Sequence, residues 1–167
     1  MDHLWAPWRV KYVTKIIDKV KGCIFCSIFE QRSDAKNLIF VRGKYCYAVL
    51  NLYPYNNGHS LILPNRHIND ISKMKKEERD EFFDLVLYVR DLLQEVMHPA
   101  GFNIGMNLGR IAGAGIPGHV HMHIVPRWKG DVNFMPAVGN TKVISQSLKE
   151  LHKRLKAAHG KREKRKK

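Results

Sequence analysis

The run GHVHMHIVPRW places three histidines, His119, His121 and His123, on alternate residues. Side chains on a β-strand alternate between its faces, so this spacing sends three imidazoles to one side and Val120, Met122 and Ile124 to the other. A merely solvated face would be served as well by Lys, Thr or Glu. Three neighbouring rings that must share space and protons suit metal binding, phosphate binding, or attack on a phosphate. A neutral imidazole can attack phosphorus and form a phosphoramidate, which water or another acceptor then resolves. The attacking ring needs one nitrogen free and the other held by an acceptor that fixes the tautomer. His121, flanked on both sides by like residues, fits that description and is the candidate nucleophile. Arg127, the flanking imidazoles and backbone N–H groups are candidates to meet the phosphoryl charge.

Immediately before the triad lies AGAGIPG. Its glycines let the backbone approach a ligand closely and aim successive N–H groups at an anion, so Gly113, Ala114 and Gly115 form a candidate phosphate cradle. An ordinary strand connection is the other use of such a loop. A second constellation is CIFC, Cys23 to Cys26, which in a reducing compartment suggests metal or redox chemistry more than a structural disulfide. Two thiolates and two histidines complete a tetrahedral zinc shell, which is structural when closed. His67, after the third predicted strand, and His119, opening the fifth, can reach the cysteines if the N-terminal segment folds across the sheet. A pair of packed thiols is the alternative. Cys46, in KYCYAVL, reads as a small buried hydrophobe.

The elements that must position these residues follow from pattern. Gly22 to Glu30 is a short apolar segment. LIFVRGKYCYAVLNLYP reads as two strands broken at Arg42 and Gly43, and NNGHSLILP gives a third strand behind an Asn-Gly turn and closed by Pro64. From Lys76 to Met97 the positions Phe82, Leu85, Val86, Val89, Leu92, Leu93 and Val96 form one stripe of an amphipathic helix, ended by His98, Pro99 and Gly101. Phe102 to Leu108 is a fourth strand and His119 to Pro126 a fifth. Ile144, Leu148, Leu151 and Leu155 mark a C-terminal helix with a basic outer face. The natural solution is α+β, an antiparallel sheet with helices on one face.

A chain of 167 residues, 44% hydrophobic, supports one core. We divide it into an N-terminal arm (1–21), a folded domain (22–159) and a solvated basic tail (160–167). No apolar run is long enough to span a bilayer and the start lacks a signal-peptide pattern, so a cytoplasmic protein is the expectation. The net charge of +14, from 29 Lys and Arg against 15 Asp and Glu, favours polyanionic partners such as nucleotides, polyphosphates or nucleic acid.

The triad with Pro126 and Arg127 resembles the signature of the histidine-triad superfamily of nucleotide hydrolases and transferases, over about Cys23 to Phe134. Asn51 and His59 fall eight apart, as do the ribose-binding Asn and the pocket His of that superfamily. LNLYPYNNGH, GFNIGMNLG and HIVPRWKGDVNF most resemble its bacterial diadenosine tetraphosphate phosphorylase branch, related to ATP adenylyltransferases. The resemblance implies a five-stranded antiparallel sheet, a homodimer, and cleavage of dinucleoside polyphosphates by phosphorolysis or hydrolysis through a nucleotidyl-histidine. It makes His121 the nucleophile with His119 and His123 in support, Asn51 a ribose ligand, His59 a pocket residue and Asn107 a phosphate contact. It implies that Trp128 shapes the pocket and that Cys23, Cys26, His67 and His119 bind zinc. Where many members carry Gln, Ser or Thr, this chain has Gly115 and Ile116, so backbone N–H groups must substitute there. Other readings are a nucleotide- or nucleic-acid-binding protein that uses its basic surface, and a hydrolase of adenylated amines or DNA ends.

Overall fold

The computed structural model describes residues 22–131 and 146–165. The arm, residues 1–21, and Ile144 lie outside them. Five strands form one antiparallel sheet: β1 (Ile39–Arg42), β2 (Cys46–Leu50), β3 (Ser60–Pro64), β4 (Gly101–Met106) and β5 (Met122–Arg127), in the order β1-β2-β3-β5-β4. Two short helices, α1 (Ile24–Glu30) and α2 (Asp34–Asn37), precede the sheet, α3 (Lys76–Met97) connects β3 to β4, and α4 (Leu148–Arg165) follows. The expected α+β architecture is the observed one.

Local chemistry sets the boundaries. The hairpin between β1 and β2 turns at Gly43, whose N–H bonds to the Cys46 carbonyl at 2.8 Å. Glu81 of α3 caps that turn by accepting from the N–H groups of Tyr45 and Cys46 at 2.7 and 2.8 Å. A side chain at Gly43 would run into the Glu81 carboxylate. α3 begins where the Glu78 carboxylate accepts from the Lys75 N–H at 2.8 Å and ends where His98 turns left-handed at φ 49°. Its stripe packs on β2, β3 and β5, while α4 packs on β1 and α3. Phe82, Leu92, Leu93, Leu151 and Leu155 are fully enclosed there with Phe40, Ile62 and Ile124.

Register explains how the sheet builds a site. Val49 pairs with Leu61, and Leu61 pairs with His123, so these three form one row across β2, β3 and β5. Directly paired residues share a face, with Cβ atoms about 5 Å apart. The adjacent row, Leu50, Ser60 and Ile124, points the other way.

β4 closes at Met106, two residues before the expected Leu108, and two further boundaries differ more. β5 starts at Met122, because Val120 N–H bonds to the Ile68 carbonyl at 2.7 Å and carries His119–His121 out of the β3 ladder. Beyond Gly160 the chain stays helical to Arg165 and is not a tail. Arg162 bonds to Glu95 at 2.8 Å and lies 5.6 Å over the Tyr88 ring, and His159 bonds to the Tyr88 hydroxyl at 2.7 Å. These side-chain contacts hold the last turns against α3.

Candidate active site and metal cluster

The departure of His119–His121 from the ladder separates the triad into two environments. His121 and His123 face each other with ring centroids 5.0 Å apart. His119 turns instead toward His67, 5.3 Å away, and Phe25 of α1 touches both His119 and His121 at 5.7 and 5.1 Å. The alternation expected of one uninterrupted strand is therefore met by two of the three rings.

His121 is 7% exposed, and its Nδ1 lies 2.8 Å from the carbonyl of His119. A carbonyl only accepts, so Nδ1 carries the proton and Nε2 keeps its lone pair. Burial lowers its pKa below the usual imidazole value, which the His119 carbonyl partly opposes. The ring is held neutral, with one fixed tautomer and the distal nitrogen available for attack.

His123 is fixed by a relay. The backbone N–H of Tyr55 donates to His59 Nδ1 at 3.0 Å, and the Asn51 amide lies 3.3 Å from the same atom. His59 Nδ1 is thus an acceptor and its Nε2 carries the proton, which it donates to His123 Nδ1 at 2.8 Å. His123 in turn bears its proton on Nε2 and is a donor there. Tyr55 stacks on His59 and His123 at 4.6 and 5.8 Å, a contribution that sequence pattern did not single out.

Beside Leu61 and Val49, in the row of His123, opens a cavity of about 260 Å³. Its apolar wall includes Ile24, Phe25 and Ile28 from α1, and its polar groups include Lys36 and Asn51. Asn51 is held by Tyr53 N–H, which donates to its Oδ1 at 3.0 Å.

Other candidates are placed differently. Asn107 follows β4 and donates to the Gly113 carbonyl at 3.4 Å. The N–H groups of Gly113 and Ala114 close the loop onto Arg110 and Gly109 carbonyls, at 2.9 and 3.2 Å, so they are not aimed at an anion. Of the cradle, Gly115 remains, and its neighbour Ile116 lines the cavity. Trp128 lies past the far end of β5, its N–H on Asp131 at 3.2 Å, and is absent from the cavity wall. Arg127 is gripped by Asp131 at 2.6 and 2.9 Å and bonds to Asn103, so it does not reach the triad. A strand rises about 3.3 Å per residue, which carries positions 127 and 128 more than 10 Å from His123.

Cys23, Cys26, His67 and His119 converge, with their ligand atoms all within 4.8 Å of one another. Cys23 Sγ and Cys26 Sγ lie 3.4 and 3.6 Å from His119 Nδ1, and Cys26 Sγ lies 3.4 Å from His67 Nδ1. Tetrahedral zinc, with bonds of ~2.3 Å to sulfur and ~2.0–2.1 Å to nitrogen, puts sulfur and nitrogen about 3.6 Å apart. The donor set and its spacing fit such an ion. His119 Nε2 donates to the Pro64 carbonyl at 3.0 Å, which turns the Nδ1 lone pair toward the cluster. Burial brings the His119 pKa down to about 4, keeping the ring neutral as a ligand must be. Burial, then the neighbouring Cys23, pushes the Cys26 thiol up to about 11, so a bound cation would have to displace its proton. Cys46 stands apart, fully buried, with its thiol pushed up to about 12 by burial.

The HIT domain model matches residues 32–130, more than half of the chain. The protein is a member of the HIT domain family. This HIT protein is 37% identical over 161 residues to the AP-4-A phosphorylase of Mycobacterium tuberculosis, an alignment covering 93% of this chain and 83% of that one. It is 36% identical over 93 residues to the asymmetrical bis(5'-nucleosyl)-tetraphosphatase of Schizosaccharomyces pombe, covering 56% and 50% of the two chains. Its fold matches that of a Zn-bound histidine triad family protein from Mycobacterium smegmatis with a TM-score of 0.68 and 24% identity, over 86% of this chain and 96% of that one.

Proposed function

We propose that this HIT protein cleaves dinucleoside polyphosphates, diadenosine tetraphosphate foremost, through a nucleotidyl group carried on His121. The observation that carries the reading is the His121 tautomer: Nδ1–H on the His119 carbonyl leaves Nε2 as a buried neutral nucleophile. The identity to the AP-4-A phosphorylase over nearly the whole chain supports the substrate class. In this reading the cavity in the row of His123 takes the nucleoside and Asn51, on its wall, binds the ribose.

Nε2 of His121 attacks the α-phosphorus. A phosphorus–nitrogen bond forms as the bond to the bridging oxygen breaks, and the departing nucleotide takes that electron pair. The ring becomes cationic, and the His119 carbonyl on Nδ1–H stabilises the new charge. His123, held as an Nε2 donor by His59, hydrogen-bonds the phosphoryl group as charge develops on its oxygens. Phosphate or water then attacks the same phosphorus and returns His121 to its neutral form.

Cys23, Cys26, His67 and His119 would hold zinc in a closed four-ligand shell, which supplies folding energy rather than a reaction step. The identity of that ion as zinc is supported by the two-thiolate, two-imidazole donor set. A homodimer is supported by β4, an outer strand of the sheet whose Ile104 is 42% exposed. Thiolate ligands suit the reducing cytoplasm, and no described helix is long and apolar enough to cross a membrane.

Product analysis tests the reaction. Diadenosine tetraphosphate incubated with the protein and inorganic phosphate is expected to give ADP and ATP. AMP and ATP formed without phosphate make the acceptor water. No cleavage under either condition overturns the reading.

A further inference from the structure

The nucleoside cavity and the metal cluster share one element, α1. Cys23 and Cys26 bracket its first turn, and Ile24 and Phe25 of that turn line the cavity. A helix of seven residues has little stability of its own, and Cys23 at its N-cap makes no side-chain capping bond. Its second half is tied down separately: Asn37 donates to the Ile28 carbonyl at 3.1 Å and Arg42 to the Phe29 carbonyl at 3.0 Å. In the first turn the Tyr47 hydroxyl donates to the Phe25 carbonyl at 2.9 Å, and among the described residues the remaining side-chain ties to the body of the domain are the two thiols.

His119 is anchored independently. Its ring donates to the Pro64 carbonyl, and the next N–H, of Val120, bonds to Ile68. The carbonyl that orients His121 therefore has anchors apart from the cluster, whereas the first turn of α1, a wall of the cavity, has the cluster thiols among its few ties.

We propose that metal bound by Cys23, Cys26, His67 and His119 sets nucleoside affinity by fastening the first turn of α1 as a cavity wall, with Phe25 as the positioning residue. The inference rests on the reading of this cavity as the nucleoside site. Coupling of this kind is reciprocal: the factor by which zinc strengthens AMP binding is the factor by which AMP strengthens zinc binding.

The full-length protein is titrated with AMP by calorimetry in zinc-loaded and chelator-stripped forms, and zinc affinity is measured by competition with a chromophoric chelator with and without saturating AMP. Stripping is expected to weaken AMP binding at least tenfold with the far-UV helix signal retained, and AMP is expected to raise zinc affinity by the same factor. Phe25→Ala, which keeps all four ligands, is expected to hold one zinc and bind AMP weakly in both forms, and Phe25→Leu to recover part of the coupling. Equal AMP affinity with and without zinc, a zinc affinity that AMP leaves within twofold, or loss of the whole helix signal on stripping overturns the inference. Failure of the zinc-loaded protein to bind AMP overturns the nucleoside reading of the cavity instead.

Discussion

His59 is fully buried, lies behind the cavity wall where it meets the wall residue Asn51, and holds His123 by a hydrogen bond of 2.8 Å. His59→Ala removes the donor that keeps the His123 proton on Nε2, so the ring divides between tautomers and loses its orientation. Loss of one preorganised donor to a charged transition state costs about 10²–10³ in kcat. His123 itself remains and can still adopt the right tautomer, so the expected loss is smaller, roughly 10–100-fold in kcat. Asn51 keeps its bond from Tyr53 N–H, so KM is expected to stay within about threefold. Tyr55 N–H and the Asn51 amide lose an acceptor, which lowers stability by about 1–3 kcal/mol. Steady-state kinetics with diadenosine tetraphosphate, urea unfolding, and turnover with added imidazole read these effects together. The expected result is a kcat loss that imidazole partly restores. A variant that is less stable yet keeps kcat within twofold of wild type refutes the relay.

Three other outcomes follow from the same contacts. Glu78 accepts from Arg66 at 2.8 and 2.9 Å and from Lys75 N–H, and the Arg66 bonds chiefly lower its pKa to about 2. A carboxylate with a lowered folded pKa stabilises above its unfolded value, so stability is expected to fall from about pH 4.5 toward pH 2. With Arg66 half exposed the loss is about 1–2 kcal/mol, and Glu78→Gln is expected to flatten it in pH-dependent urea unfolding. Protein purified without added metal is expected to carry about one zinc per chain by elemental analysis, and Cys26→Ser to carry far less; metal-free stable wild type contradicts the closed shell. Ile104→Arg on the outer strand β4 is expected to shift the protein from dimer to monomer in light scattering, and a wild-type monomer contradicts the dimer reading.

Much of the frame was legible because its signals are local. The stripe from Phe82 to Val96 gave α3 its ends, since apolar period and a left-handed His98 act within a few residues. The CIFC spacing and the strand-end positions of His67 and His119 were enough to bring the four metal-site residues together on paper, and they converge in the structure. What pattern missed depends on distant partners. α1 is too short to show a period and takes its form from Tyr47, Asn37 and Arg42. The basic end of α4 is helical because Glu95 and Tyr88 on α3 receive it, which its composition alone does not disclose. The Val120–Ile68 bond that turns His119 away from His123 crosses 52 residues of chain. Phe25 stood inside the CxxC motif, and an aromatic between two metal ligands was the available sign that the segment also serves the triad.

The central claim is covalent, and it is tested most directly by quenching the protein during turnover of diadenosine tetraphosphate and locating any adduct by peptide mass spectrometry. One AMP on the peptide bearing His121, absent from His121→Ala, which retains AMP binding but not turnover, is the expected result. An adduct on another residue, or turnover undiminished in His121→Ala, contradicts the account.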